Sequence, residues 1–525
     1  MNKAGSWHLG SIDPHQIKDW VLLGIGLFTL GLLAAFAAGA IYYDELFLLQ
    51  VARRVFYGEV LYRDVFFGAT PLAVYLSFLA VLLKSELLVV RALNSLVFAG
   101  MGLFAVHLAH QVGLGQRSKV LILLGLTAYA SPWVMGTGSL YTPLSHFFLL
   151  ACYPWAFRLL RRQEAPVWYL VGGGLLAGLS FASKQNTGVY ALLFILGVLT
   201  WQAWRIRTNW KRWIMHLLLA GGGFATCALF LVLLPVALSG GLEKFLDYAF
   251  LNKVNYVEHA GITYWSYLQG WMSRAASPAS WTGIQSILVD VPSLFPIASL
   301  GGLALVWLRS PRRERDTAAL LFAATVASLG EIFPRVGKGH ISCTMPVVLV
   351  GIAYGISRSI SSSQRKNLLA ALCGLWLVAN LGAMYAPQAY GLLRGEYKLS
   401  RVTHLRLLLL PAATIENYYF TQSALAPLNG DSIFILHRWA ALLYLLGDIH
   451  NPTPYDYPLV TAFGVDGQQR TLEDLRNGTL PQVCILPMND ALRPVLLEAY
   501  VLGSMQAVHD YGVCRLYRTA PKPSP

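Results

Sequence analysis

Long apolar runs separated by short polar turns make up most of this chain. A bilayer-spanning helix needs roughly 17–25 residues. Eleven runs fit: 20–41, 88–112, 119–137, 142–160, 166–183, 188–204, 213–238, 286–308, 316–334, 341–358 and 367–386. A twelfth, 70–84, is shorter, opens at Pro71 and closes at Lys84 and Glu86. After residue 386 the chain turns more polar. The pattern there predicts short strands at 432–437, 482–486 and 513–518 and helices at 439–446 and 491–502, with Asn451-Pro452-Thr453-Pro454 as a loop. Two parts follow: a polytopic α-helical membrane domain over 1–386 and a small α/β domain outside the membrane over 387–525.

Composition agrees with this reading. Of the 525 residues, 56% are hydrophobic and 13% charged, and the mean hydropathy is +0.52. Soluble domains carry about 25% charged residues, so this is an integral membrane protein. The N-terminus is polar through Asp19, and the apolar run after it exceeds the ~7–15 residues of a signal-peptide core, so it is read as a retained first span. The net charge of +14 does not imply nucleic acid, because many basic residues sit in short turns between spans.

Those turns set the orientation. Arg117/Lys119, Arg158/Arg161/Arg162, Arg205/Arg207/Lys211/Arg212, Arg309/Arg312/Arg313/Arg315 and Arg358/Arg365/Lys366 form compact basic clusters. If 70–84 does not cross, all five fall on the cytoplasmic side, as positively charged loops do. This predicts eleven spans in the plasma membrane, a cytoplasmic N-terminus and an extracytoplasmic tail. It also gathers Asp44, Arg53, Arg54, Asp64, Lys184-Gln185-Asn186, the aromatic loop 239–285 and 335–340 on the outer face. The aromatic loop predicts interfacial amphipathic helices, where Trp and Tyr are favoured.

The candidate chemistry lies in the first external loop. Tyr43-Asp44-Glu45 follows the first span directly, and charge at a membrane border is costly enough to suggest function. Arg53, Arg54, Gly58, Tyr62, Arg63, Asp64 and Pro71 follow, in a loop that reads as two helices lying on the membrane. Arg63 and Arg91 read as interfacial anchors. Lys184 and His340 are balanced between site residues and ordinary span-end groups. Of the six cysteines, Cys484 and Cys514 in the tail either pair in an oxidising compartment or remain buried thiols. No Cys/His cluster suggests a metal site.

The Tyr43-Asp44-Glu45 motif, with its spacing to Gly58, Tyr62, Asp64 and Pro71, resembles the first external loop of GT-C glycosyltransferases. The likeness is to the bacterial branch related to protein O-mannosyltransferases and the lipid A aminoarabinose transferase. Phe181-Ala182-Ser183-Lys184-Gln185-Asn186 is similar to a Thr/Ser-Lys turn of that branch. Gly430-Asp431-Ser432-Ile433-Phe434 and His450-Asn451-Pro452-Thr453 resemble its C-terminal domain.

The resemblance implies inverting transfer of one sugar, hexosyl or pentosyl, from a polyprenyl-phosphate donor to a lipid, glycan or protein acceptor on the outer side. It matches the general base to Asp44, with Glu45 as its supporting neighbour. A departing phosphate needs cations placed beforehand. The candidates are Arg53, Arg54, Lys184, Arg335, Lys338 and His340, with 335–340 read as a flexible loop. Relatives carry a second acid in the turn that here reads Ser139-Leu140-Tyr141-Thr142-Pro143, which has no carboxylate. Asp64 is a candidate supporting acid, and the expected chemistry needs neither divalent metal nor cofactor.

The alternative from another class is a transporter or flippase of a lipid-linked sugar. It predicts midplane charges and paired repeats, whereas here the charges cluster at span ends. A phosphoethanolamine transferase would need a metal-binding external domain, and the tail has no such cluster.

Overall fold

A computed structural model describes residues 14–36, 41–83, 86–130, 140–162, 164–276, 290–332, 335–486 and 491–519. Each of the eleven apolar runs falls on a helix. These are α1 (Pro14–Phe36), α4 (Glu86–Gln111), α5 (Gln116–Gly125, continued by a π turn to Ala130), α6 (Tyr141–Leu160), α7 (Val167–Ser183), α8 (Gln185–Arg205) and α9 (Trp210–Ala228, prolonged to Leu238). They are followed by α12 (Phe295–Arg309), α13 (Arg312–Gly330), α14 (Lys338–Ser359) and α15 (Ser363–Leu393). Six of the described helices are long and apolar enough to cross a membrane. Segments 37–40, 131–137, 286–289 and 333–334 of the predicted runs, and Trp281 with the rest of 277–285, lie outside the described residues.

Between α1 and α4 lie α2 (Tyr43–Phe56) and α3 (Leu72–Leu82), the two short helices expected of the first loop. Helix α2 starts where the Glu45 carboxylate accepts the Tyr42 N–H at 2.9 Å, satisfying one of the donors that a helix start leaves open. It ends at Gly58, whose φ of +111° suits a residue without Cβ. The loop beyond is pinned by buried Tyr62, whose hydroxyl donates to the Ala69 carbonyl at 2.6 Å. The aromatic loop holds α10 (Lys253–Ala260) and α11 (Tyr264–Ala275).

The connectors separate into two ends. At one, Arg161 donates to the Gln111 carbonyl (2.5 Å), Arg117 to Asn367 (3.1 Å), and Arg205–Asp316 (3.5 Å), Arg212–Glu164 (3.1 Å) and Arg358–Glu314 (3.2 Å) pair. All five basic turns thus meet there. The first loop, the starts of α6 and α8, the aromatic loop, Glu331 and residues 335–340 meet at the other.

The tail caps that second end. Strands β1 (Tyr397–Leu399) and β2 (Leu409–Pro411) pair antiparallel, and α16 (Ala412–Leu425) follows. Strand β3 (Phe434–Leu436), α17 (Ala440–Gly447), α18 (Gly467–Asn477), β4 (Gln482–Ile485), α19 (Val495–Ser504), β5 (Gln506–Asp510) and β6 (Arg515–Arg518) complete it. The sheet order is β3-β4-β6-β5, with only β3 and β4 parallel. Alternation along the strands gives two cores. Phe434, Leu436, Val483, Ile485 and Tyr517 join the main core, while Ile435, Cys484, Cys514 and Leu516 form a second one. Cys484 and Cys514 are joined as a disulfide there.

Helix α2 does not lie open on the surface. Leu46, Leu48, Leu49, Val51 and Ala52 are fully buried, and the helix is packed between α3, α4 and α17. Arg54 ties the two parts together. Its guanidinium donates to Glu59 (2.5 Å), Asp456 (3.0 Å) and the carbonyl of Thr453 (2.9 Å). Removing one partner from a buried ionic cluster costs about 3–5 kcal/mol. Arg54→Ala should therefore lower the thermal midpoint of the whole protein and expose 451–456 to protease; an unchanged midpoint would contradict the tie.

Candidate active site

A cavity of about 660 Å³ opens where the first loop, the bundle end and the tail meet. That volume lies within the range of small-molecule sites, roughly 300–1,000 Å³. Five helices begin at its wall. They contribute Tyr43 and Asp44 from α2, Tyr141 and Thr142 from α6, and Lys184, Gln185 and Asn186 around the start of α8. Asn252 and Lys253 come from the start of α10, and Gly337, Gly339 and His340 from that of α14. Helix N-termini present unsatisfied N–H groups and the positive end of the helix dipole, so their convergence favours an anion.

Charged side chains add to that field. Lys184 pairs with Glu331, donates to Thr142 Oγ1 at 3.0 Å and lies 5.5 Å from the Tyr141 ring centre. Glu331 is buried at the end of α13 and also meets His146 Nε2 (3.1 Å) and His340 Nδ1 (3.3 Å). One carboxylate thereby ties α6, α8, α13 and α14 together. Lys253 donates to the Gly68 carbonyl at 3.0 Å, and burial with Lys184 nearby brings its ammonium down to about 8. Arg335 reaches the wall from a strand-like bridge to Ile262. Phe47, Phe66, Phe67, Val189 and Phe250 make the apolar part of the wall.

Asp44 is the carboxylate turned into this space without a direct ion pair among the described residues. Burial raises its carboxyl to about 6, and the positive fields of His340, Arg335 and Arg438 hold it from rising further. Arg438 stands 4.2 Å over the Tyr43 ring, and Tyr43 stacks on Tyr457 at 5.5 Å, so the tail completes this side of the site. A carboxylate poised near neutrality can accept a proton, and the cations beside it can hold an anion.

Four expected residues come together here: Asp44, Lys184, Arg335 and His340. The others lie elsewhere. Glu45 faces away and gives both oxygens to Arg91 (3.1 and 2.7 Å), which corrects Glu45 as a supporting base and Arg91 as an interfacial anchor. Arg53 bonds His404 (2.6 Å) beside Glu86, and Arg54 is consumed by the cluster described above, so neither reaches the cavity. Lys338 pairs with buried Asp290 at 2.5 Å. Asp64 is bound by Arg63 (2.8 Å) and the Val60 N–H (2.8 Å), so it is no substitute acid. Residues 338–340, read as flexible, are the first turn of α14.

A second carboxylate at the cavity is Glu331, inside the run 316–334. Its signal was available: an ionisable residue within a span is a functional candidate by default. Lys253 was hidden in a loop read as a membrane belt, and His146 inside a span. Gly330 next to Glu331 packs against the Tyr190 ring, which a Cβ there would meet at 2.6 Å.

No family model matches the sequence, and no curated protein matches it. The fold does have solved counterparts. ArnT from Cupriavidus metallidurans, bound to undecaprenyl phosphate, aligns at a TM-score of 0.54 and 12% identity over 96% of this chain and 100% of the other. The same protein in the apo state gives 0.54 and 14% over the same shares. An oligosaccharyltransferase from Archaeoglobus fulgidus in the apo form aligns at 0.49 and 10% identity, over 88% of this chain and 69% of that one. The chain therefore shares the fold of ArnT over nearly its whole length.

The raised Asp44 carboxyl has a consequence for stability. Its folded value, about 6, lies above the ordinary 3.8, so folding is favoured by protonation and loses that help as pH rises through 6. Asp44→Asn, which mimics the protonated form, should therefore raise the thermal midpoint at pH 7.5, with the gain shrinking towards pH 4. Glu45→Gln should lower it instead. Equal midpoints for wild type and Asp44→Asn at pH 7.5 would contradict the placement of Asp44.

Proposed function

We propose that this protein is an inverting glycosyltransferase that moves one sugar from a polyprenyl-phosphate donor to a hydroxyl acceptor. The observation that carries this reading is the cavity itself, in which a near-neutral carboxylate faces converging cations and helix N-termini beside an apolar wall. A donor with an anionic head and a prenyl tail suits such a wall. The undecaprenyl phosphate held by ArnT, which shares the fold, belongs to the same chemical class.

In the proposed step Asp44 takes the acceptor's O–H proton as the oxygen attacks the anomeric carbon. The bond from that carbon to the phosphate oxygen breaks, and its electron pair leaves with the polyprenyl phosphate. Negative charge thus grows on the phosphate in the transition state, where prepositioned donors act most strongly. Lys184, Lys253, Arg335 and His340 are assigned to it, Arg335 being able to grip two oxygens at once. Glu331 is a positioning residue that holds Lys184 and His340 in place. In this proposal side chains and helix ends meet the phosphate charge without a divalent metal.

Orientation follows from charge placement. We place the basic end in the cytoplasm and the cavity and tail outside; a disulfide in the tail suits an oxidising compartment. Ser504→Cys should react with a membrane-impermeant maleimide on intact cells, and Gln116→Cys only after permeabilisation. The reverse pattern would invert the topology.

Removing a general base usually costs 10²–10⁴-fold. Asp44→Asn should lose transfer by roughly that factor while still binding polyprenyl phosphate. Wild-type kcat/KM should fall about tenfold per pH unit below pH 6, where the base becomes protonated. Full activity in Asp44→Asn, or sugar-lipid transport without release of polyprenyl phosphate, would overturn the assignment.

A further inference from the structure

A second concavity, about 570 Å³, lies at the opposite, basic end of the bundle, between the end of α8 and the starts of α9 and α13. Arg205, Arg207 and Arg312 line it together with Trp204, Trp210 and Trp213, and no carboxylate is among the described lining residues. Asp316 engages Arg205 from outside the wall at 3.5 Å. Arg207 and Arg312 are exposed, and no ion pair among the described residues engages either. Trp204 and Trp210 are 74% and 65% exposed, which a water-facing surface would disfavour and a lipid head-group layer accommodates.

We infer that this concavity binds the head group of an anionic phospholipid in the adjoining leaflet. Three observations specify that ligand. Arg207 comes from the α8–α9 turn and Arg312 from the first residue of α13, so two guanidinium groups on separate segments frame the space. Helices α9 and α13, of 19 residues each, both start at its wall and direct their positive ends there. The tryptophans place the site at the depth where ester linkages and phosphates lie, so the ligand is a membrane lipid rather than a soluble anion. Basic pockets between spans on the cytoplasmic side are suited to diphosphate head groups such as that of cardiolipin. The site is remote from Asp44, and the inference does not rest on the proposed transfer reaction.

The test uses the purified full-length protein, delipidated in mild detergent and titrated with cardiolipin, with phosphatidylcholine as the neutral control; bound lipid is counted by native mass spectrometry. Wild type should retain cardiolipin over phosphatidylcholine. Arg207→Gln combined with Arg312→Gln should weaken cardiolipin about tenfold to thirtyfold, from roughly 1 kcal/mol per arginine at a membrane surface. Each single variant should weaken it about fivefold and serves if the pair does not purify. Arg207→Lys with Arg312→Lys should retain most of the binding. Equal retention of the two lipids by wild type, or unchanged cardiolipin binding in the glutamine variants, overturns the inference.

Discussion

The site is governed by an excess of positive potential at one end of a helix bundle. Five helices start at a single cavity, and Lys184, Lys253, Arg335 and His340 stand at its wall. Like charges packed so closely repel one another in a medium poor in water, so the arrangement requires anions. Glu331 supplies a permanent one. Its carboxylate holds Lys184, His146 and His340, and so fixes the relative positions of four helices. Asp44 is a second and weaker one, since burial works against its ionisation. The positive field left over is available to an anionic ligand.

Neighbouring residues on α2 show how finely this is set. Asp44 and Glu45 differ by about 100° around the helix axis. That turn sends one carboxylate into the cavity and the other onto Arg91, where it also caps the helix. Arg53 and Arg54 divide in the same way, one towards His404 and Glu86 and the other into the junction with the tail. The tail shares the main core with α2 and supplies Tyr457 to the cavity wall and Arg438 above Tyr43. The site therefore belongs to both parts of the chain.

Much of this was legible in the sequence, because membrane patterning is local and strong. The helices coincide with the apolar runs, and the parity of the basic turns gathered Asp44, Lys184, Arg335 and His340 at one end. The resemblance carried by the Tyr43-Asp44-Glu45 loop agrees with the fold observed. Most of what escaped lacks a local signature. The tail partners of Arg54 lie some four hundred residues further along, at 451–456. Strand β5 is exposed along its whole length, so it shows no alternation to read. Glu331 was masked by its apolar neighbours, although its charge alone should have marked it.

The central claim is that the phosphate of a prenyl lipid sits between the cations of this cavity and within reach of Asp44. An experimental structure of the Asp44→Asn protein with polyprenyl phosphate tests it most directly. The account requires the phosphate oxygens within hydrogen-bonding distance, about 2.7–3.2 Å, of Lys184, Lys253 or Arg335, with the prenyl chain leaving past the apolar wall. Density for that phosphate at any other place, with the cavity filled by water alone, would contradict it.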